Sequence, residues 1–427
     1  MAEWRCGSFQ FPTSTGSFEV ELDIAVEGVL FFGSNQGTED TLLSGGNPGV
    51  FFGMAWKTLA GATDYQSQAN TTFGVRWQAK PITMNSSGGT VQYEASSLTF
   101  GDGFTINVTT AAPGTRYVHY IAWGDEIQAH GSLMASPGSG TAFDFATGYR
   151  VFSMLMFSMF ASGRADTNGS SNYLTLGVAN FPDLPTVAEV NALNNNANGF
   201  TFRTQTQLGQ VGLTEQWYNG PYDDSITASV SSGLVGTFQD QFDHARPYPT
   251  YIDPALRVDL YGYTNQSSIA WMDVQGSAHQ IAVPALGVTA AYEPRDYMEG
   301  IAACLFFGTT GWHSAAQGDP HVAFTLGMLG EDANGDPVQA CCGFDSGAGD
   351  APANDTPYFF QSRQACYVDS LHSGGVRVAS GEIVGNEIEL TGEIASSTAL
   401  DGGFVQMWEG PSGVTVMQRR RHVGTLP

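Results

Sequence analysis

Few residues in this chain stand at spacings that do chemistry. Glu331–Asp332–Ala333–Asn334–Gly335–Asp336 alternates oxygen-bearing side chains about a glycine, as the first half of a calcium loop does when such groups converge on one hard cation. The bidentate glutamate that completes such a loop is missing, so a plain hairpin turn is expected. Asp125 with His130, and Asp273 with His279, recur at nearly equal spacing after a tryptophan. An Asp-His pair can orient a base, but no serine or cysteine nucleophile accompanies both, and there is no G-x-S-x-G elbow. These residues read as strand-end caps and surface histidines. Cys6, Cys304, Cys341, Cys342 and Cys366 are too sparse for a disulfide framework. Adjacent Cys341 and Cys342 lack the C-x-x-C spacing that favours zinc and would point to opposite faces of a strand, so buried free thiols are expected. Paired carboxylates for glycoside hydrolysis cannot be picked from so many acids. No catalytic, cofactor-binding or metal-binding residue is assigned.

Two groups are instead candidates for contact with partners. Trp217, Tyr218, Tyr222, Tyr248 and Tyr251 form aromatic loops suited to stacking on sugar rings or to packing against a neighbour. Arg419, Arg420 and Arg421, followed by His422, put cations near the end of an otherwise acidic chain, where they read either as a solvated terminus or as a plug into an acidic neighbour.

The elements that must carry these residues repeat. Leu30–Phe31–Phe32–Gly33 returns as Leu305–Phe306–Phe307–Gly308, and Gly148 to Phe160 is a looser third copy. Each run is short, rich in Phe or other large apolar residues and preceded by glycine, as a buried central strand is. Tyr120–Ile121–Ala122–Trp123–Gly124–Asp125 recurs as Ser268–Ile269–Ala270–Trp271–Met272–Asp273, with Phe404 to Glu409 in the same place of the third copy. Between opening and closing strands lies a glycine-bearing middle strand: Val50 to Met54, Tyr173 to Val178 and Val322 to Met328. Copies of this length are the size of compact domains.

The expected architecture is all-β, with three tandem antiparallel β-sandwich (jelly-roll-like) domains at residues 1–133, 134–290 and 291–427. Residues 182–254 read as an insertion in the second, partly helical at Val187 to Leu193. Phe31, Trp123, Phe157, Trp271, Phe306 and Trp408 are the expected core aromatics. With 53 glycines and 13% charged residues, the composition suits short strands and tight turns better than long solvated helices.

A net charge of −25, with Lys57 and Lys80 the only lysines, would repel phosphate backbones, so nucleic acid is not an expected partner. The longest apolar run, Val151 to Phe160, is about half of what spans a bilayer, so no membrane insertion is expected. The start MAEWRCGSFQ lacks the charged and apolar pattern of a secretory signal.

With the L-F-F-G strand, the D-G-F-T-I-N-V strand at Asp102 to Val108 and the Y-V-H-Y-I-A-W closure at Tyr117 to Trp123, the first repeat resembles the β-sandwich modules of tailed-bacteriophage virion proteins. The likeness covers residues 19 to 133, part of 298 to 410, and little of the middle repeat, where the D-G-F element is missing. What the resemblance implies is a non-enzymatic minor tail protein, of the tail tip or a fibre, assembled in the host cytoplasm into a virion. Its implied partners are other virion proteins, further copies of itself in a homo-oligomer (a trimer by analogy) and a host-surface glycan. A capsid decoration or head-spike protein, and a carbohydrate- or receptor-binding module, are the alternatives.

Overall fold

The computed structural model describes residues 4–44, 49–58, 61–71, 74–86, 90–124, 284–292, 301–308, 323–345, 358–372, 375–385, 387–393 and 403–409, together with the backbone of the strands between residues 130 and 281. Among these residues every element is a strand and there is no helix, hence none long and apolar enough to cross a membrane. The segment Val187 to Leu193, expected to be helical, lies outside the described residues.

The strands fall into three groups. The first contains β1 (Trp4–Gln10), β2 (Gly16–Glu21), β3 (Val26–Ser34), β4 (Leu43–Ser44), β5 (Gly49–Lys57), β6 (Thr63–Thr71), β7 (Gly74–Gln78), β8 (Ile82–Asn85), β9 (Val91–Gly101), β10 (Gly103–Thr110) and β11 (Tyr117–Gly124). The second contains β12 (His130–Met134), β13 (Thr141–Ala146), β14 (Ser153–Phe160), β15 (Asn172–Asn180), β16 (Ala197–Gln207), β17 (Gln210–Gly220), β18 (Gln239–Asp240), β19 (Arg257–Gly262) and β20 (Ser268–Val274). The third contains β21 (Gly276–Ile281), β22 (Thr289–Tyr292), β23 (Ile301–Gly308), β24 (Ala323–Glu331), β25 (Pro337–Asp345), β26 (Tyr358–Ser362), β27 (Tyr367–His372), β28 (Gly375–Val384), β29 (Glu387–Gly392) and β30 (Gly403–Glu409).

Each group has one large sheet, and the three orders match position by position: β1-β11-β3-β5-β6-β7, β12-β20-β14-β15-β16-β17 and β21-β30-β23-β24-β25-β26, with β4 added beyond β26. The smaller sheets run β2-β10-β9-β8, β13-β19-β18 and β22-β29-β28-β27. All these strand pairs are antiparallel. The L-F-F-G strands β3 and β23 thus lie inside a sheet, between the closing strand and the middle strand.

The pairings differ from the sequence reading at two places. Each group begins with a strand that pairs with its own closing strand, so β12, mostly within the expected first repeat, lies beside β20, and β21, within the expected second, lies beside β30, while β22, which the expected boundary at 290/291 divides, lies beside β29. The chain passes from one group to the next between Gly124 and His130 and again at residue 275. In the stretch read as an insertion, β16 and β17 continue the sheet from β15 in the positions that β6 and β7 hold in the first group. β16 and β17 are long and mostly polar, which hid this continuity.

Glycine on the middle strand has a steric reason. Gly53 stands opposite Phe31 and Gly327 opposite Phe306. A Cβ on Gly53 would lie 2.2 Å from the carbonyl oxygen of Pro81, and one on Gly327 1.8 Å from that of Cys366. Pro81 and Cys366 each precede the strand that carries the chain to the smaller sheet, β8 or β27. In both groups the backbone crosses against a bare Cα.

Alternation on the central strands separates two buried faces. Val29 and Phe31 of β3, Phe51 and Ala55 of β5, and Val118, Tyr120 and Ala122 of β11 join Phe104 and Ile106 from the smaller sheet in one core. Phe31 meets Phe104 edge-on, with ring centres 5.3 Å apart. Leu30, Phe32, Met54, Trp56, Ile121 and Trp123 point to the opposite side, yet they too are buried. The third group repeats this: Cys304, Phe306 and Leu329 face Tyr367, Ile388 and Leu390, while Leu305, Leu326, Met328, Ala340 and Cys342 are buried on the other face. Phe31, Trp123 and Phe306 are therefore core residues as expected; the side chains of Phe157, Trp271 and Trp408 lie outside the described residues.

The second faces are covered by neighbouring groups. β1 runs along β23, β24 and β25, and β5 meets β25. β12 meets β5, β15 and β16 meet β7, and β21 meets β14 and β15.

Two substitutions test this packing. Phe31→Ala should cost about 3–5 kcal/mol, as large-to-small changes at buried aromatics do. Gly53→Ala and Gly327→Ala should each cost at least about 1–3 kcal/mol, because the obstructing atom is backbone. Urea unfolding measures all three, and a neutral Gly327→Ala would contradict the close crossing.

Candidate functional site

Of the residues singled out in the sequence, the structure places some on strands and leaves others undescribed. Trp217 and Tyr218 lie on β17, opposite Phe200 and Gly199, and not in a loop. Tyr222, Tyr248, Tyr251, Arg419, Arg420 and Arg421 lie outside the described residues, as does Asp125. His130 and Asp273 come from different expected pairs and are direct partners across β12 and β20, while His279 stands opposite Val405.

Glu331 to Asp336 is a hairpin turn joining β24 to β25. Asp332 Oδ1 accepts the amides of Asn334 at 2.8 Å and Asp336 at 3.0 Å, and Gly335 takes a φ of +79°. The side chain closes the turn as an Asx motif, and Ala333 at its tip packs on the core of the first group. Among the described residues no cluster of three or more His, Cys, Asp or Glu could hold a metal. All five cysteines are free and buried, and burial pushes each thiol up, so they stay protonated and unreactive.

Among the described residues, a dense polar arrangement lies at the seam between the first and third groups. After β3 the chain leaves its own sheet, and β4 pairs with the free edge of β26, Ser44 opposite Tyr358 and Leu43 opposite Phe359. Just before β4, Asp40 adopts a φ of +53°, the left-handed conformation that short polar side chains tolerate. Gln361 on β26 is buried and bonded at every group: Ser34 Oγ donates to its Oε1 at 2.8 Å, its Nε2 donates to the Gln36 carbonyl at 3.2 Å, and its carbonyl accepts the Asp40 amide at 2.8 Å. Ser362 Oγ donates to Asp40 Oδ1 at 2.5 Å. Arg363 grips Glu39 with two parallel bonds, 2.6 Å and 2.7 Å, and its guanidinium lies 4.1 Å from the Tyr117 ring centre. The Glu39 contact holds the Arg363 pKa up.

Behind this cluster sits His119 on β11. Its Nδ1 is 2.6 Å from Ser8 Oγ, its ring lies tilted against Phe32 with centres 5.0 Å apart, and its buried Nε2 has no hydrogen-bond partner among the described residues. Burial, aided by the nearby Arg363 charge, lowers its pKa to about 3. A serine against a histidine has the outline of a nucleophile and its base. A base near pKa 3 removes a serine proton poorly at neutral pH, and no carboxylate orients this ring. The Ser8–His119 pair instead ties β1 to β11 within the first group, next to the seam.

None of these seam contacts was visible in the sequence, where Gly33 to Gly49 reads as a polar loop and Arg363 as one arginine among many. The hydrogen-bonded partners lie more than 300 residues apart, and no spacing rule reaches that far. No protein-family model and no curated protein matches the chain.

Two measurements probe the seam. Gln361→Ala should cost more than Arg363→Ala: the first strands buried partners at about 1–3 kcal/mol, whereas the arginine is 45% exposed and pairs of that kind contribute about 0.2–1 kcal/mol. His119 adds a pH dependence. Its folded pKa of about 3 lies below the ordinary histidine value near 6.5, so between the two the unfolded chain binds the extra proton. Stability from this group is complete above about pH 6.5 and is lost as pH falls toward 3. Urea midpoints at pH 7 and pH 4.5 should therefore separate more for the native chain than for His119→Gln.

Proposed function

We propose that the chain is a non-enzymatic structural protein of a tailed-bacteriophage virion, a minor tail protein of the tip or fibre. In this reading it is built of three tandem jelly-roll-like β-sandwich modules, divided at residues 125–129 and 275. The observation that carries it is the repetition of one strand order three times, with the L-F-F-G motifs of β3 and β23 and the closing tryptophan strands β11 and β20 at equivalent sheet positions. Motifs placed in this way serve packing. A module that resembles virion sandwiches in its packing motifs, in a chain with a buried polar cluster joining one strand group to another, fits a part that bears contacts.

A non-catalytic role is supported by the chemistry of the polar residues: the histidine beside Ser8 is too weak a base, and the thiols are buried and protonated. Outward contacts then fall to the aromatic residues Trp217, Tyr218, Tyr222, Tyr248 and Tyr251 and to the basic end, Arg419 to Arg421. Arginine pairs bidentately with carboxylates, and such pairs strengthen when an interface excludes water.

The test is incorporation into particles. Mass spectrometry of purified virions should detect the chain at a fixed copy number, and deletion of Arg419 to Pro427 should leave it folded but lower its incorporation. Purified protein should show no turnover of bacterial cell-wall glycans. Absence from particles, or turnover abolished by Asp273→Asn, would overturn the proposal.

A further inference from the structure

We infer that the three strand groups of one chain close into a ring about a pseudo-three-fold axis, and that the protein occupies a three-fold position of a symmetric assembly as a single copy. The contacts run one way around. The first strand of the first group, β1, lies on β23, β24 and β25 of the third; the first strand of the second, β12, lies on β5 of the first; the first strand of the third, β21, lies on β14 and β15 of the second. Equivalent strands make all three contacts. A head-to-tail contact repeated with the same geometry either runs on as a filament or closes as a ring. Here the third step returns to the first group, so the contact closes inside the chain.

Side chains show that the closing contact is tight. Cys6 of β1 points its Sγ at the Leu329 carbonyl at 3.9 Å, and a Cβ on Gly330 would lie 2.4 Å from that sulfur. The Asp332 to Asp336 turn lays Ala333 on the first core. β4 fills the edge of β26, and Gln361 makes three hydrogen bonds to the first group. The surface of the third group that receives a first strand is thus already occupied by the chain's own β1, leaving that place closed to a second copy. A homotrimer, the arrangement expected from the sequence, is not needed to give three sheets around an axis, since one chain supplies all three. Its large sheets repeat one strand order about that axis, and the complement of such a unit is a partner with three equivalent sites around a three-fold.

The ring stands independently of the virion reading, whereas the three-fold partner rests on it, and the experiments separate the two. Light scattering on the full chain over a wide concentration range should return one chain mass, 45.4 kDa; three times that mass overturns the single-copy ring. Ser44→Cys combined with Tyr358→Cys places thiols at register partners of β4 and β26, within reach of a disulfide, and the native cysteines are buried and should not compete. On oxidation the double variant should form a bond within one chain, running at the single-chain mass on a non-reducing gel. A ladder of linked chains, or no bond, overturns closure within the chain. In purified particles, one copy per three-fold position supports the partner assignment. Three copies per position, or absence from particles, overturns that assignment and leaves the ring to be judged by the first two results.

Discussion

The central strands of the large sheets are covered on both sides, and most of the structure follows from that. A strand with one wet face alternates apolar and polar residues, but β3 buries Leu30 and Phe32 on one side while burying Val29 and Phe31 on the other. The continuous run Val29–Leu30–Phe31–Phe32 is the sequence form of this constraint. Burial of such side chains contributes about 1.5–3 kcal/mol each, so the second face of one group draws on its neighbours for stabilisation that its own core does not supply. Space is the other side of this constraint. Gly28 leaves room for the Trp123 ring, just as Gly53 and Gly327 leave room for the crossing backbone.

Apolar faces bring groups together without fixing how they slide. Seam polarity supplies the register: Gln361 can satisfy its amide and its backbone only if Ser34, Gln36 and Asp40 arrive at one position. A shift of one residue would leave buried donors and acceptors unpaired, at about 1–3 kcal/mol each. The Arg363–Glu39 pair lies farther out, where water weakens it, and adds orientation more than energy.

The sequence carried the strands well where local pattern decides them. The L-F-F-G runs, the Gly-Asp-Gly turn between β9 and β10 and the hairpin at Asp332 could all be read from short-range chemistry. Where one group ends and the next begins could not, because β12 and β21 are ordinary short strands whose membership is decided by a partner more than 100 residues away. The seam was invisible for the same reason. Ser8 and His119 carry no distinguishing spacing, and their environment exists only once Phe32 and Arg363 have closed over them.

The strap formed by Ser34 to Ser44 also bears on how the protein is made. It belongs to the part of the chain synthesised first, but the strand edge it covers, Tyr358 to Ser362, emerges from the ribosome only after more than 300 further residues. For most of that interval, until β23 to β25 are made, the second face of the first sheet, with Leu30, Phe32, Met54 and Trp56, has no third group to cover it, and nascent chains with such surface exposed are prone to aggregate or to take a chaperone. Translation must run almost to its end before the first-made strands acquire their last neighbours: a chain truncated before Ile301 would carry an uncovered sheet face that the complete chain hides, and one truncated before Tyr358 would still lack the edge that β4 pairs with.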